Sequence, residues 1–257
     1  MRRAFLIMAA ICISSVLSIQ AQDLTVDEII NTYLENTGGI DNWKSLQGIR
    51  MEAKVNQGGM EIPIEIVSLK SGKQYSKINF QGNDIYQGVF DGEVLWSTNF
   101  QTMSAEKADA EGTANMKLDA NDFPDSFIDY KEKGYTAELL GEENIEGTDA
   151  YKVKLVKEPK TIDGKEVEDV TYYYFDKEYM VLVAQDTEVK SGPMAGKIQR
   201  ITQGEYEEID GFYFPKAMTQ GIKDGPSQPI QFTTIEINPE VDETTFAFPV
   251  ATASSEE

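Results

Sequence analysis

The chain has 257 residues, a net charge of -21 at pH 7, one cysteine and no histidine. A single cysteine excludes an internal disulfide, and the absence of histidine excludes His-based catalytic triads and the usual His/Cys metal sites. The negative charge repels phosphate backbones, which argues against nucleic acid as a partner.

The first residues have the pattern of a secretory signal peptide. Arg2 and Arg3 precede an apolar run from Ala4 to about Ile19, and Ala21 provides a small residue at the cleavage point. The alternative is a membrane anchor, but serines interrupt the run before it reaches ~20 apolar residues. Ile11 precedes Cys12 where a lipoprotein signal needs a small residue, so we expect a product without a lipid anchor.

The remaining sequence predicts one domain. No Pro/Ser-rich linker divides residues 22–250, and no second apolar run is long enough to span a bilayer. The polar tail 251–257 is predicted to be disordered. The division is therefore a signal peptide over 1–21, a single domain over 22–250 and a tail over 251–257.

The domain begins with an amphipathic helix. Thr25 and Glu28 have the spacing of a capping box, and Gly38-Gly39 is a stop signal. The apolar positions at helical spacing are Val26, Ile29, Ile30, Tyr33 and Leu34. Asp41 is predicted to cap a second short turn that carries Trp43 and Leu46.

From Ile49 the apolar residues repeat every second position. Met60, Ile62, Ile64 and Ile66 alternate mostly with polar residues, as in a half-buried strand. Turn pairs such as Asp91-Gly92, Asp163-Gly164 and Asp210-Gly211 separate the later runs. The pattern predicts about ten or eleven antiparallel strands joined mainly by hairpins, and the absence of βαβ units argues against a parallel sheet.

Residues 103–133 interrupt the strands. This stretch lacks alternation and is predicted to be a helical insertion across the sheet, with Ser104–Ala110 as one helical fragment. We expect this insertion either to act as a functional lid or simply to cover one open face of the sheet.

Several motifs resemble the outer membrane lipoprotein-sorting family, the LolA/LolB-like periplasmic carriers. They are Gly88–Trp96, with its Asp-Gly-x-x-Leu-Trp hairpin, Tyr206–Pro215, Phe232–Pro239 and Asp242–Phe246, together with Thr37–Trp43, Gly59–Pro63 and Gly147–Lys152 in a Bacteroidetes-type wording. The resemblance covers most of residues 22–250.

The resemblance implies a mainly β fold: a strongly curved antiparallel sheet forms an incomplete barrel, covered by the N-terminal helix and the mid-chain insertion. It implies an apolar cavity for a lipid acyl chain or a lipidated protein, in the periplasm of a diderm bacterium. The cavity wall would consist of Ile62, Ile64, Ile66, Ile78, Phe80, Val89, Trp96, Tyr172 and Tyr174. Carriers of this family also use a basic residue near the cavity, but no motif assigns that role to Lys70, Lys73 or Lys77.

Two other interpretations stay open. The apolar faces, including 170–175, are equally typical of a filled core, which would make the chain a non-catalytic module that binds an envelope protein. An enzyme would need paired carboxylates, for which Glu61/Glu65, Glu142/Glu143 and Glu207/Glu208 are candidates by residue type alone. Asp119, Asp122 and Asp125 lack the spacing of a calcium loop. We therefore predict no catalytic residue, no metal site and no cofactor.

Overall fold

The computed structural model describes residues 24–249, so the predicted signal peptide and the whole of the predicted tail lie outside the described residues. The helices are α1 (Val26–Asn36), α2 (Ile40–Ser45) and α3 (Ala110–Ala120), and a 3₁₀ helix spans Glu243–Phe246. The strands are β1 (Gly48–Gln57), β2 (Met60–Leu69), β3 (Gln74–Phe80), β4 (Asn83–Phe90), β5 (Leu95–Thr98), β6 (Ala105–Lys107), β7 (Thr136–Ile145), β8 (Thr148–Val156), β9 (Lys160–Ile162), β10 (Lys165–Val167), β11 (Val170–Asp176), β12 (Leu182–Glu188), β13 (Ile198–Ile209), β14 (Phe212–Ile222) and β15 (Ser227–Ile237).

Thirteen strands form one antiparallel sheet in the order β6-β5-β4-β3-β2-β1-β15-β14-β13-β12-β11-β8-β7. Strands β9 and β10 form a separate hairpin. The described sheet is not closed into a barrel, because β6 and β7 end it at opposite edges. The prediction of a mainly β, open antiparallel sheet is confirmed, with more strands than the turn signals indicated.

The capping box of α1 forms as predicted. The Glu28 amide donates to Thr25 Oγ1 at 3.2 Å, and the Thr25 amide donates to Glu28 Oε2 at 2.8 Å. The prediction for α2 was wrong. Gly39 is its N-cap and forms no side-chain cap bond, while Asp41 already lies in the first helical turn, where its side chain cannot occupy the cap position.

The Asp-Gly signal at residues 210–211 marks a tight hairpin. Asp210 and Gly211 have φ of 52° and 85°, the left-handed pair that such a turn requires, and they join β13 to β14 with Ile209 opposite Phe212.

The insertion differs from its prediction at its start. Residues 105–107, expected to be helical, form β6 and pair with Trp96–Thr98 of β5. The helix begins later, at α3, where the Asp109 side chain accepts from the Gly112 amide. A short sequence with helical propensity therefore forms a strand here, because the edge of β5 provides backbone hydrogen-bond partners.

The two faces of the sheet carry separate cores. We call the face that bears Ile49, Met51 and Ala53 the helix face, because α1 and α2 pack on it. There Trp43 of α2 lies against Phe212 and Phe214, with ring centroids 4.8 and 5.6 Å apart. On the opposite side, the outer face, a smaller core joins Val67, Tyr75, Val89 and Trp96 to Phe246 of the 3₁₀ helix.

Candidate ligand-binding site on the helix face

Five of the predicted wall residues share the helix face of β2 and β3. Ile62 lies opposite Val55, Ile66 opposite Met51, and Ile64 opposite Ile78, and directly opposed residues of antiparallel strands point to the same side. We call this set the apolar strip; it consists of Val55, Ile62, Ile64, Ile66, Ile78 and Phe80.

The strip is open at one end. Phe80 is 36% exposed, and Met60, next on the same side of β2, is 49% exposed. From Ile66 to Met60 the strand rises about 20 Å at ~3.3 Å per residue. Ile62 itself is only 8% exposed, but two large exposed apolar side chains beside it indicate a surface that another molecule covers.

At its other end the strip enters a small pocket. Ile49, Met51 and Ile66 form the sheet side, and Phe123 and the end of α3 at Ala120 form the other side. The volume is about 240 Å³. This is below the ~300–1,000 Å³ typical of small-molecule sites, so the pocket as it stands is too small for a long acyl chain.

Polar contacts hold α3 over this pocket. Asn115 donates its Nδ2 to the Thr161 carbonyl at 2.7 Å and accepts the Thr161 amide at 3.0 Å. Glu111 accepts the amides of Asp163 and Gly164, each at 2.8 Å. None of the residues of α3 is buried. The helix is therefore held by hydrogen bonds to the β9–β10 hairpin rather than by apolar packing, which is what a movable cover requires.

The polar edge of the pocket contains paired charges. Asp122 lies 2.7 Å from Lys157, and Asp119 lies 2.6 Å from Lys160. Burial alone would lower the pKa of the Lys157 amine, but Asp122 and then Asp169 outweigh it and raise that pKa above its ordinary value. Since these aspartates already have cationic partners, they do not form a ligand set for calcium, and the described residues contain no metal-binding group of three.

Asp125, the third aspartate of that series, joins the insertion to α1. It accepts from Tyr33 Oη at 2.7 Å and from the Phe127 amide at 2.8 Å. Burial raises the pKa of this carboxyl despite both hydrogen bonds.

The structure places Val89 and Trp96 on the outer face, away from the strip. Trp96 Nε1 donates to the Phe246 carbonyl at 3.0 Å, within the outer core. Alternation from Ile85 would put Val89 on the helix face, but a register shift between β3 and β4, with Gly88 at φ 60°, moves it to the other side.

Tyr172 and Tyr174 also point to the outer face. Tyr174 Oη donates to Asp186 at 2.9 Å. The alternate residues of β11, Tyr173 and Phe175, pack in the helix-face core. The nine predicted wall residues thus divide into five on the helix face and four on the outer face.

The remaining candidates have structural partners. Adjacent glutamates bind different lysines, as Glu142 binds Lys177 and Glu143 binds Lys152. The other glutamates contact Lys54 (Glu61), Lys77 (Glu65), Lys216 (Glu207) and Tyr213 (Glu208). Lys70 donates to the Lys44 carbonyl, and Lys73 pairs with Glu243. None of these side chains lines the pocket beneath α3.

Sequence reasoning missed a larger pocket of about 560 Å³. It lies on the outer face, over the middle of β13, β14 and β15. Its residues are dispersed in sequence and individually unremarkable in type, so no local pattern marks them.

An open antiparallel sheet with helices on one face also occurs in solved structures that are similar to this chain. A LolA superfamily protein from Nitrosomonas europaea is similar, with 12% identity, a TM-score of 0.51, and coverage of 87% of this chain and 98% of that chain. A DUF1329 family protein from Desulfovibrio piger is similar, with 17% identity, a TM-score of 0.50, and coverage of 87% and 97%. No family model and no curated protein sequence matches the chain. The predicted LolA-like fold is confirmed; the Bacteroidetes-type assignment stays a prediction.

No helix among residues 24–249 combines the length and apolar character needed to cross a bilayer.

Proposed function

We propose that this chain is a non-enzymatic carrier or binding protein for a lipid, a lipidated protein or another amphiphile. The observation that carries the proposal is the apolar strip: Ile64 and Ile78 are paired across two strands, only partly buried, and in line with the pocket beneath α3. The LolA-like fold and the motif resemblance support the same function.

The energetics require only apolar area. Burying an acyl chain yields ~0.8 kcal/mol per CH₂. A sixteen-carbon chain therefore gains roughly 10 kcal/mol, from which the loss of freedom on binding subtracts at least about 4 kcal/mol. The strip together with Met60, about 20 Å from Ile66, provides a surface along which much of such a chain could lie. No catalytic group is needed for this function.

Binding requires α3 to move. The pocket of about 240 Å³ accepts only part of a chain while α3 is in place. Because the helix is held by side-chain hydrogen bonds and buries no residue, its displacement would open the pocket at the end of the strip at modest cost. The lid predicted for the insertion would thus be α3, which opens when it separates from the β9–β10 hairpin.

The test is capture of a lipid by delipidated protein, measured by native mass spectrometry with palmitic acid and a palmitoylated lipopeptide. Ile64→Glu places a charge on the strip and should reduce capture at least tenfold. Thr136→Glu adds the same charge at an exposed position of β7 and should leave capture unchanged. Unliganded protein in every mixture, or equal capture by both variants, would count against the carrier function.

A second function has its own observation. Under α1 the helix face is filled by aromatic rings, with Phe127 lying 4.7 Å from Tyr173 and 5.5 Å from Phe175. A core filled to this extent suits a module that binds an envelope protein through its surface. Absence of lipid capture together with retention of a partner would favour it.

For location we propose the periplasm of a diderm bacterium, on the strength of the signal-peptide pattern. N-terminal sequencing of the secreted product, with Gln22 expected first, tests this proposal.

A further inference from the structure

The sheet bends toward its outer face near β7. Strands β8, β11 and β12 separate β7 from β13, so four strand spacings, about 19 Å, lie between them in a flat sheet. Yet Oε1 of Glu143, on β7, lies 3.9 Å from Nη2 of Arg200 on β13. The same oxygen lies 3.6 Å from Nζ of Lys223, just after β14. Side chains reach across this distance only if the sheet is concave on the outer face.

A charge network fixes the bend. Asp186, whose side chain is 4% exposed, accepts from Arg200 through both oxygens at 2.6 Å and from Lys223 at 3.1 Å. Glu143 accepts from Lys152 at 2.9 Å. Next to the network, Ile145 at the end of β7 is buried in a cluster with Tyr174 and Ala184. The β7–β8 turn is therefore held over the outer face, where it forms a wall.

This wall closes one side of the large pocket, which we call the outer pocket. Small residues form its floor: Thr202, Gly204, Ala217 and Thr219. Lys54 and Glu61 of the β1–β2 hairpin lie at the far end. The pocket extends from β1 to β12, again four strand spacings or about 19 Å, which is the length of five or six extended residues.

The lining is apolar within an acidic rim. Ile145, Val183 and Pro229 contribute apolar surface. Its charged residues are Glu61, Glu146, Glu205 and one lysine, Lys54, which Glu61 already pairs at 3.0 Å. Within residues 24–249, neither Glu146 nor Glu205 has an ion-pair partner or a side-chain hydrogen bond.

Both unpaired glutamates have a left-handed backbone. Glu146 has φ of 51° and Glu205 has φ of 54°, the latter inside a strand. At Glu146 the two-residue turn Glu146-Gly147 requires this conformation, whereas Glu205 adopts it within a strand, and non-glycine residues held in this way concentrate at functional sites. Here the two positions carry the uncompensated charge of the pocket.

We propose that the outer pocket binds an extended segment of a partner protein, five or six residues long, in which basic and apolar side chains alternate. The basic side chains would meet Glu146 and Glu205, and the apolar ones would lie on the floor. An elongated trough suits a chain rather than a compact molecule. The carboxylates disfavour an acyl chain, and the net charge of -21 disfavours a second copy of this acidic protein.

The experiment is fluorescence anisotropy with three labelled peptides, (Lys-Leu)₃, (Gln-Leu)₃ and (Glu-Leu)₃, against the whole protein. We expect binding in the order Lys, Gln, Glu. Ala217→Trp fills the floor and should weaken (Lys-Leu)₃ binding at least about tenfold. Thr148→Trp, at the wall, is a second blocking variant if the first does not fold.

Charge is tested by a matched pair of double variants. Glu146→Gln/Glu205→Gln should weaken (Lys-Leu)₃ binding by about 3–10-fold, whereas Glu35→Gln/Glu132→Gln, with the same net change at exposed sites elsewhere, should change it less than about twofold. If both double variants weakened (Lys-Leu)₃ binding equally, the binding would be general attraction to an acidic surface, and the proposal would be overturned. Binding that survives both tryptophan variants, or no binding of (Lys-Leu)₃ at 1 mM, would also overturn it. Lipid capture should not change in any of these variants.

Discussion

Asn115→Ala should open the cover over the pocket at the end of the apolar strip. The substitution removes both hydrogen bonds between α3 and Thr161 of the β9–β10 hairpin. At a net ~0.5–1.5 kcal/mol each, their loss favours the open position by about 1–3 kcal/mol. Because alanine is the better helix former, α3 itself stays helical.

If the open form is the minor form that binds, its population and the apparent affinity rise together, by about 5–150-fold for 1–3 kcal/mol. The assay is titration and stopped-flow mixing with pyrene-labelled palmitic acid. Asn42→Ala is the matched control, since Asn42 also donates to a backbone carbonyl, that of Gly38, but on α2. Unchanged or weaker affinity in folded Asn115→Ala protein, or the same increase in the control, would refute the reasoning.

The reverse perturbation locks the cover. A Cβ placed on Gly72 would lie 3.1 Å from the Cβ of Ala120, below the ~3.5–4.5 Å of a disulfide, and Gly72 has φ of 85°, so the cysteine pair forms only with a small shift of the 71–72 turn. Gly72→Cys/Ala120→Cys in a Cys12→Ser background should lose probe uptake when oxidised and recover it when reduced. Uptake that is equal in both redox states would show that the end of α3 does not move.

Three further variants test the structural assignments by chemical denaturation. Asp186→Asn should lower the free energy of unfolding by about 3 kcal/mol at pH 7, because it weakens a buried ion pair. Burial opposes ionisation of Asp186, but Arg200 and Lys223 together keep its pKa below the ordinary value, so the difference from wild type should shrink as pH falls below about 4. Asp125→Asn should change the free energy of unfolding in the opposite direction, because burial raises the pKa of Asp125. We expect unchanged or greater stability at pH 7, and any gain should be lost at low pH. Trp96→Ala should cost about 3–5 kcal/mol, because Trp96 is buried in the outer core, without a specific loss of lipid capture in folded protein.

Each variant has a nearby control. Glu188→Gln, on the strand of Asp186 but in a surface pair with Lys190, should cost at most about 1 kcal/mol. Phe100→Ala, on the hairpin of Trp96 and 61% exposed, should cost at most about 0.5 kcal/mol. Controls as costly as their partners would contradict the burial assignments, and a strong loss of stability in Asp125→Asn at pH 7 would contradict the sign given for Asp125.

Local signals predicted much of the fold. The capping box at Thr25 and the turn at Asp210-Gly211 depend on a few neighbouring residues, and both formed as expected. The side of the sheet on which Trp96 lies depends on a register shift at Gly88, which alternation along one strand does not reveal. Tyr174 was ambiguous for another reason, because both sides of β11 are apolar and both are buried.

The outer pocket could not be predicted at all. Its walls come from the β1–β2 and β7–β8 hairpins, and only the bend of the sheet brings them together. That bend depends on pairs such as Glu143–Arg200, which have no sequence pattern.

The position of β15 affects when this protein can fold. The last strand of the chain is the middle strand of the sheet, between β1 and β14, and Ile49 pairs with Ile237. The outer core is likewise incomplete without Phe246, whose carbonyl accepts from Trp96, 150 residues earlier. A chain emerging from its amino end therefore has neither a complete sheet nor a complete outer core until almost its final residues are available, and its folding should be slow and all-or-none rather than progressive.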